Sequence, residues 1–109
     1  FALVLANRSA QLDRALRLAQ RAAGQAPNDP RVLDALGWVY YQRGSLQEAR
    51  STLESAVEAG PAPARVYEHL GDVHAALGND ADARRYWQAA LERAPDADTV
   101  RTKLDSLGQ

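Results

Sequence analysis

Two histidines, His69 and His74, are the first residues of this sequence with the chemistry for metal binding or proton transfer. They stand five positions apart, so they do not share one helical face as an i, i+4 metal pair does. Glu68 and His69 are adjacent and point different ways on a helix, which disfavours acid–base work there. Ser9, Ser45, Ser51, Ser55 and Ser106 lie in no nucleophile motif, and there is no Gly-rich phosphate loop. The chain has no Cys, which excludes disulfides, zinc–thiolate sites and thiol nucleophiles. These residues give no reason to expect a metal, a cofactor or catalysis. Recognition is the chemistry that remains, because Trp38, Tyr41, Arg31 and Arg65 are of the types that most often dominate binding energy.

Composition narrows the partner. The 109 residues are 46% hydrophobic and 25% charged, which suits one ordinary domain and argues against wholesale disorder. Thirteen Lys+Arg against fourteen Asp+Glu leave a formal charge of −1, so a nucleic-acid partner is not expected. Arg84-Arg85 is a short basic step among Asp80, Asp82 and Glu92, and reads as a solvated face. No apolar run approaches the roughly 20 residues that span a bilayer, so direct membrane insertion by this segment is not expected either. No targeting signal is legible, and the compartment stays open.

The elements that position these residues follow from an internal period. Leu36-Gly37 recurs as Leu70-Gly71, 34 residues later, and the same offset relates Arg31 to Arg65, Ala49 to Ala83, Ala56 to Ala90 and Pro61 to Pro95. Thus 30–63 and 64–97 are two full units, 1–29 holds the latter part of an earlier one, and 98–109 follows. Each unit reads as two helices. Asp29 caps a helix that begins with Pro30 and carries Leu33, Leu36, Gly37 and Tyr40 on one face. Gly44 breaks the run, and Leu46, Ala49, Leu53, Ala56 and Val57 mark a second helix that ends before Gly60-Pro61. In the next unit Leu70, Gly71 and His74 precede the break at Gly78, and Ala83, Trp87 and Ala90 lead to Pro95. Val100, Leu104 and Leu107 mark a last helix from Asp98, a terminal cap. Gly inside a helix costs about 1 kcal/mol against Ala, so Gly37 and Gly71 imply close approach of the paired helix, with Ala49 and Ala83 the expected small partners.

This pattern resembles the tetratricopeptide repeat, W-x2-L-G-x2-Y…A-x3-F…P over 34 residues. Leu36, Gly37, Tyr40, Ala49, Ala56 and Pro61 match it in one unit, and Leu70, Gly71, His74, Ala83, Trp87, Ala90 and Pro95 in the next. Leu33 and Tyr67 replace the usual Trp, and His74 the usual Tyr. The resemblance implies an all-α solenoid of about two and a half helix pairs plus a capping helix. It further implies a non-enzymatic module whose concave groove binds a peptide or helix of a partner protein. The stretch from Val32 to Glu58 is similar to repeats of bacterial multi-repeat proteins, envelope-associated ones included.

By that resemblance the groove is lined by Arg31, Asp34, Ala35, Trp38, Tyr41 and Gln42, then by Arg65, Glu68, His69, Asp72 and Ala75, with Asn7 and Arg8 as contributors from the first unit. Trp38 and Tyr41 are expected to reach solvent or the groove, the alternative for Trp38 being packing against the neighbouring repeat. Arg31 and Arg65 are placed to meet acidic partner groups, but bridges within their own helices, Arg31 to Asp34 and Arg65 to Glu68 or Asp72, are favoured over that. Some relatives grip the terminal carboxylate of heat-shock chaperone tails with a Lys/Asn/Arg clamp; Asp34 and Trp38 stand at matching positions, so that activity is not carried over. Two other roles stay open. One is self-assembly through the apolar edge from Phe1 to Ala6, which reads as the rest of a first helix in a longer chain. The other is service as a docking arm of a larger enzyme or of a secretion or envelope assembly.

Overall fold

The computed structural model describes residues 2–107, with side chains from Ala10 onward, and within them are six α-helices and no strand. They are α1 (Ala2–Gln25), α2 (Pro30–Gln42), α3 (Leu46–Glu58), α4 (Ala64–Ala76), α5 (Asp80–Arg93) and α6 (Asp98–Leu107). The starts of α2, α4 and α6 lie 34 residues apart. α2 pairs with α3 and α4 with α5, the pairs stack through α3 and α4, and α6 covers α5. This is an all-α solenoid.

Local chemistry sets the helix ends. The Asp29 carboxylate accepts from the Arg31 backbone N–H at 3.0 Å, while Pro30 occupies a position whose missing N–H costs nothing. After α2, Gly44 adopts φ 84°, and the N–H groups of Gly44 and Ser45 return to the carbonyls of Tyr41 and Tyr40 at 3.0 and 2.9 Å. Gly78 repeats this at φ 86°, with Gly78 and Asn79 donating to Ala75 and His74. A residue with Cβ meets a steric penalty in this left-handed conformation. Each pair therefore turns at the glycine that the sequence places there.

The first unit departs from this plan. A short first helix, a turn and a second helix are expected of it, yet α1 runs unbroken from Ala2 to Gln25. The reason is at Ala10, which stands 34 positions before Gly44: a strong helix former replaces the glycine that turns the other pairs. Phe1 and the side chains of residues 2–9 lie outside what the structure describes, and with them the edge on which self-assembly would rest.

The two glycines within helices are explained by packing, with different partners from those expected. Ala49 and Ala83 are fully buried, but they are not what lies against the glycines. A Cβ on Gly37 would stand 2.6 Å from Cγ of Leu53, and one on Gly71 would fall on Cδ1 and Nε1 of Trp87. The glycines thus make room for one large side chain from the paired helix, and the fifth-helix Trp87 and third-helix Leu53 occupy that room. Leu53, Ala56, Val66, Tyr67, Leu70, Val73, Ala83, Trp87, Ala90 and Val100 join in one core, while Pro61 and Pro95 stay exposed in the connections. Val100 and the flanking Leu104 and Leu107 attach α6 to that core; Arg101, Thr102, Asp105 and Ser106 face solvent.

The Trp87 indole is rigid and hydrogen-bonded, so it cannot yield as an aliphatic side chain can. Gly71→Ala is expected to destabilise the protein by about 1–3 kcal/mol in urea unfolding, overpacking outweighing the propensity gain. Equal or higher stability would contradict the close approach.

Candidate functional site

The wall formed by α2 and α4 is organised around one buried acid. Asp34 follows Leu33 in the first turns of α2, and its side chain is 3% exposed. An isolated charge there would be expensive, so its oxygens require partners. Both have one. Arg65 Nε donates to Oδ2 at 3.0 Å and His69 Nδ1 to Oδ1 at 2.7 Å. The two donors lie one turn apart on α4, so a single carboxylate ties neighbouring repeats together.

This bond also sets the place of one hydrogen on the His69 ring. A carboxylate oxygen only accepts, so Nδ1 carries the hydrogen, and in the neutral ring Nε2 is an acceptor. Nε2 has no protein partner among the described residues and is not sealed from solvent. The ring also stacks on Trp38, with centroids 3.9 Å apart and planes at 20°, and Trp38 stacks on Tyr41 at 4.9 Å. Asp34, Ala35, Trp38, Val39, Arg65 and His69 line an open cavity of about 470 Å³. Trp38 therefore does both things weighed for it: it packs against the next repeat through His69, and it lines the cavity.

A second cluster repeats the arrangement one unit later. Lys103 stands 34 residues after His69 and bridges two acids of α4, donating to Glu68 Oε2 at 2.8 Å and Asp72 Oδ2 at 3.1 Å. Trp87 Nε1 lies 3.2 Å from both the Glu68 carbonyl and Asp72 Oδ1. Burial pushes the Asp72 carboxyl above its ordinary value, outweighing the hydrogen bond and charge of Lys103 that pull it down. Burial also works against the Lys103 ammonium, but hydrogen bonds and charge from Glu68 and Asp72 together hold it above its ordinary value.

The expected groove residues divide accordingly. Asp34, Ala35, Trp38, Arg65 and His69 surround the cavity, with Tyr41 attached through its stack on Trp38. Glu68 and Asp72 belong to the second cluster. Arg31 and Gln42 are exposed and do not line the cavity, and Ala75 packs against the core. The Asn7 and Arg8 side chains lie outside those described. The bridges expected within helices are replaced: Arg65 crosses to Asp34 instead of joining Glu68 or Asp72, and Arg31 lies 3.7 Å from Asp29 instead of meeting Asp34. His74 is buried away from this wall, with Nδ1 3.3 Å from Asn79 Nδ2 and its ring stacked on Tyr86. Val39 and Lys103 were not singled out by sequence; the phase of Lys103, one period after His69, is the signal that finds it. Among the described residues no cluster of potential metal ligands occurs, and no helix is long and apolar enough to cross a membrane.

Stacked helix pairs with a ligand-sized cavity between successive first helices define a helical-repeat solenoid. The tetratricopeptide-repeat profile matches residues 5–63 and 35–98, and the chain belongs to that family. Over 54 residues it is 36% identical to the TPR repeat-containing protein PA4667 of Pseudomonas aeruginosa, covering 50% of this chain and 9% of that protein. The structure is similar to that of YrrB, a TPR protein with an unusual peptide-binding site (TM-score 0.79, 24% identity, 94% of this chain and 53% of that one). It is also similar to the first TPR of Spaghetti (RPAP3) bound to the HSP90 peptide SRMEEVD (TM-score 0.87, 19% identity, 94% of this chain and 81% of that one). The chain thus spans about half the length of YrrB and a small part of the Pseudomonas protein. The family fold is a protein–protein interaction module, and its members are generally non-enzymatic.

Because the folded protein holds the Lys103 proton above the ordinary 10.5, that contribution is complete below the unfolded value and is lost as pH rises through the folded one. Lys103→Met is expected to cost about 1 kcal/mol at pH 8. The difference from the parent protein should shrink above pH 10.5 in thermal unfolding. A difference that does not change with pH would contradict the bridge.

Proposed function

We propose that this chain binds an extended segment of a partner protein along the α2–α4 wall and catalyses nothing itself. The observation that carries the reading is the open cavity beside Trp38, where apolar surface from Ala35, Val39 and the indole meets the exposed Arg65 guanidinium and the His69 ring. Pockets that recognise ligands combine such apolar lining with a few fixed polar groups. A binding wall of this kind needs rigid positions, and the cross-repeat bonds of Asp34 and the stacking of Trp38 supply them. The peptide-binding site of YrrB and the HSP90 peptide bound by the first TPR of Spaghetti support the reading by analogy of fold.

The test is selection of dodecapeptides displayed on phage against the immobilised chain, followed by titration of the selected synthetic peptides. The double variant Trp38→Ala, Tyr41→Ala is expected to weaken binding by about 1–2 kcal/mol, a factor of roughly 5–30, with its circular dichroism unchanged. Peptides whose affinity ignores this variant would contradict the groove reading. Loss of helicity in the double variant, with binding retained by Trp38→Phe, would assign these residues to packing alone.

A further inference from the structure

Resting on that reading, we infer the kind of segment this wall selects: an internal stretch in which an aspartate or glutamate side chain neighbours a leucine- or phenylalanine-sized one. The inference comes from which hydrogen-bonding groups at the wall are already committed. Asp34 is sealed at 3% exposure, with one donor on each oxygen. Glu68 and Asp72 are both engaged by Lys103. The guanidinium of Arg65 differs, because only Nε is committed and the side chain remains 62% exposed beside the cavity. Its two terminal nitrogens have no protein partner among the described residues. They form a two-pronged donor edge matched to one carboxylate.

Asp34 contributes by aiming that edge. With Nε held at 3.0 Å, the motion of the guanidinium is restrained, so less freedom is lost when a ligand carboxylate docks. Next to the donor edge the cavity is walled by Ala35, Val39 and Trp38, which suits an apolar side chain. In the neutral His69 ring, Nε2 accepts and fits a backbone N–H of the same segment. A chain terminus would call for several donors converging on one carboxylate; a single guanidinium edge suits a side chain.

The phage selection decides this directly, since displayed peptides are fused to the coat protein at their C-termini and present no terminal carboxylate. Selected sequences should be enriched in Asp or Glu adjacent or next-but-one to Leu, Ile or Phe. Binding of the synthetic, C-amidated peptide should weaken as salt rises. Replacing its acid by the amide and introducing Arg65→Gln should each raise Kd about tenfold, and the two together little more than either alone. Arg65→Lys should recover part of the loss, and circular dichroism confirms that each variant is folded. Groove binders with no acidic preference, or an acidic preference indifferent to Arg65→Gln, would overturn the inference while leaving the groove reading standing. An empty selection, with free-ended synthetic acidic peptides binding and their amidated forms failing, would reveal a carboxyl-terminal requirement and overturn it too. Peptides insensitive to the Trp38 and Tyr41 changes would instead remove the groove reading, and absence of any binder, displayed or free-ended, would remove both.

Discussion

The carboxylate of Asp34 is the constraint on which the rest of this wall depends. It belongs to α2, it is sealed from water, and each of its oxygens is met by a donor from α4. Burying a charge this way is not a cheap route to stability, since an aliphatic side chain of similar volume would fill the gap at no desolvation cost. What the acid does that an aliphatic residue cannot is orient its donors. One bond restrains a guanidinium, the other sets a hydrogen of an imidazole, and both residues line the same cavity. Stacking of Trp38 on His69 completes the wall, because the ring that bonds to Asp34 is the ring that supports the indole.

The helices that carry this wall are held by a different device. Gly37 and Gly71 admit Leu53 and Trp87 against the backbone of the paired helix, which locks each pair. Trp87 then serves twice, filling the space at Gly71 and directing Nε1 toward Glu68 and Asp72 on α4. The core of one repeat and the polar cluster of its exposed face are therefore mechanically connected. Lys103 extends the connection to α6, so the last helix both covers the core with Val100 and supplies the cation for the acids of α4.

Much of this was legible in the sequence, for identifiable reasons. A period of 34 with Gly, Ala and Pro at fixed phases leaves few ways to bury the apolar faces, so the starts of α2, α4 and α6 and the turns at Gly44 and Gly78 could be read directly. The partners of Arg31 and Arg65 could not. Spacing within one helix is visible in sequence, whereas the distance from Arg65 to Asp34 depends on how closely two repeats stack, and reading along one helix gave the wrong acid. The partners of the glycines failed for a related reason: small residues at matching phases suggested Ala49 and Ala83, but the space is taken by large side chains one helical turn further on. The unbroken α1 shows the converse, since Ala10 in place of a turn glycine was there to be read and the repeat pattern overrode it.

If Asp34 joins the repeats and orients the wall, its coupling to His69 is a free energy that can be measured. A double-mutant cycle of Asp34→Asn and His69→Gln, followed by urea unfolding at neutral pH, isolates it. The account predicts a coupling of about 1 kcal/mol or more between the two changes. Strictly additive losses would mean that the two side chains are neighbours without being partners, and that the wall is organised by something else.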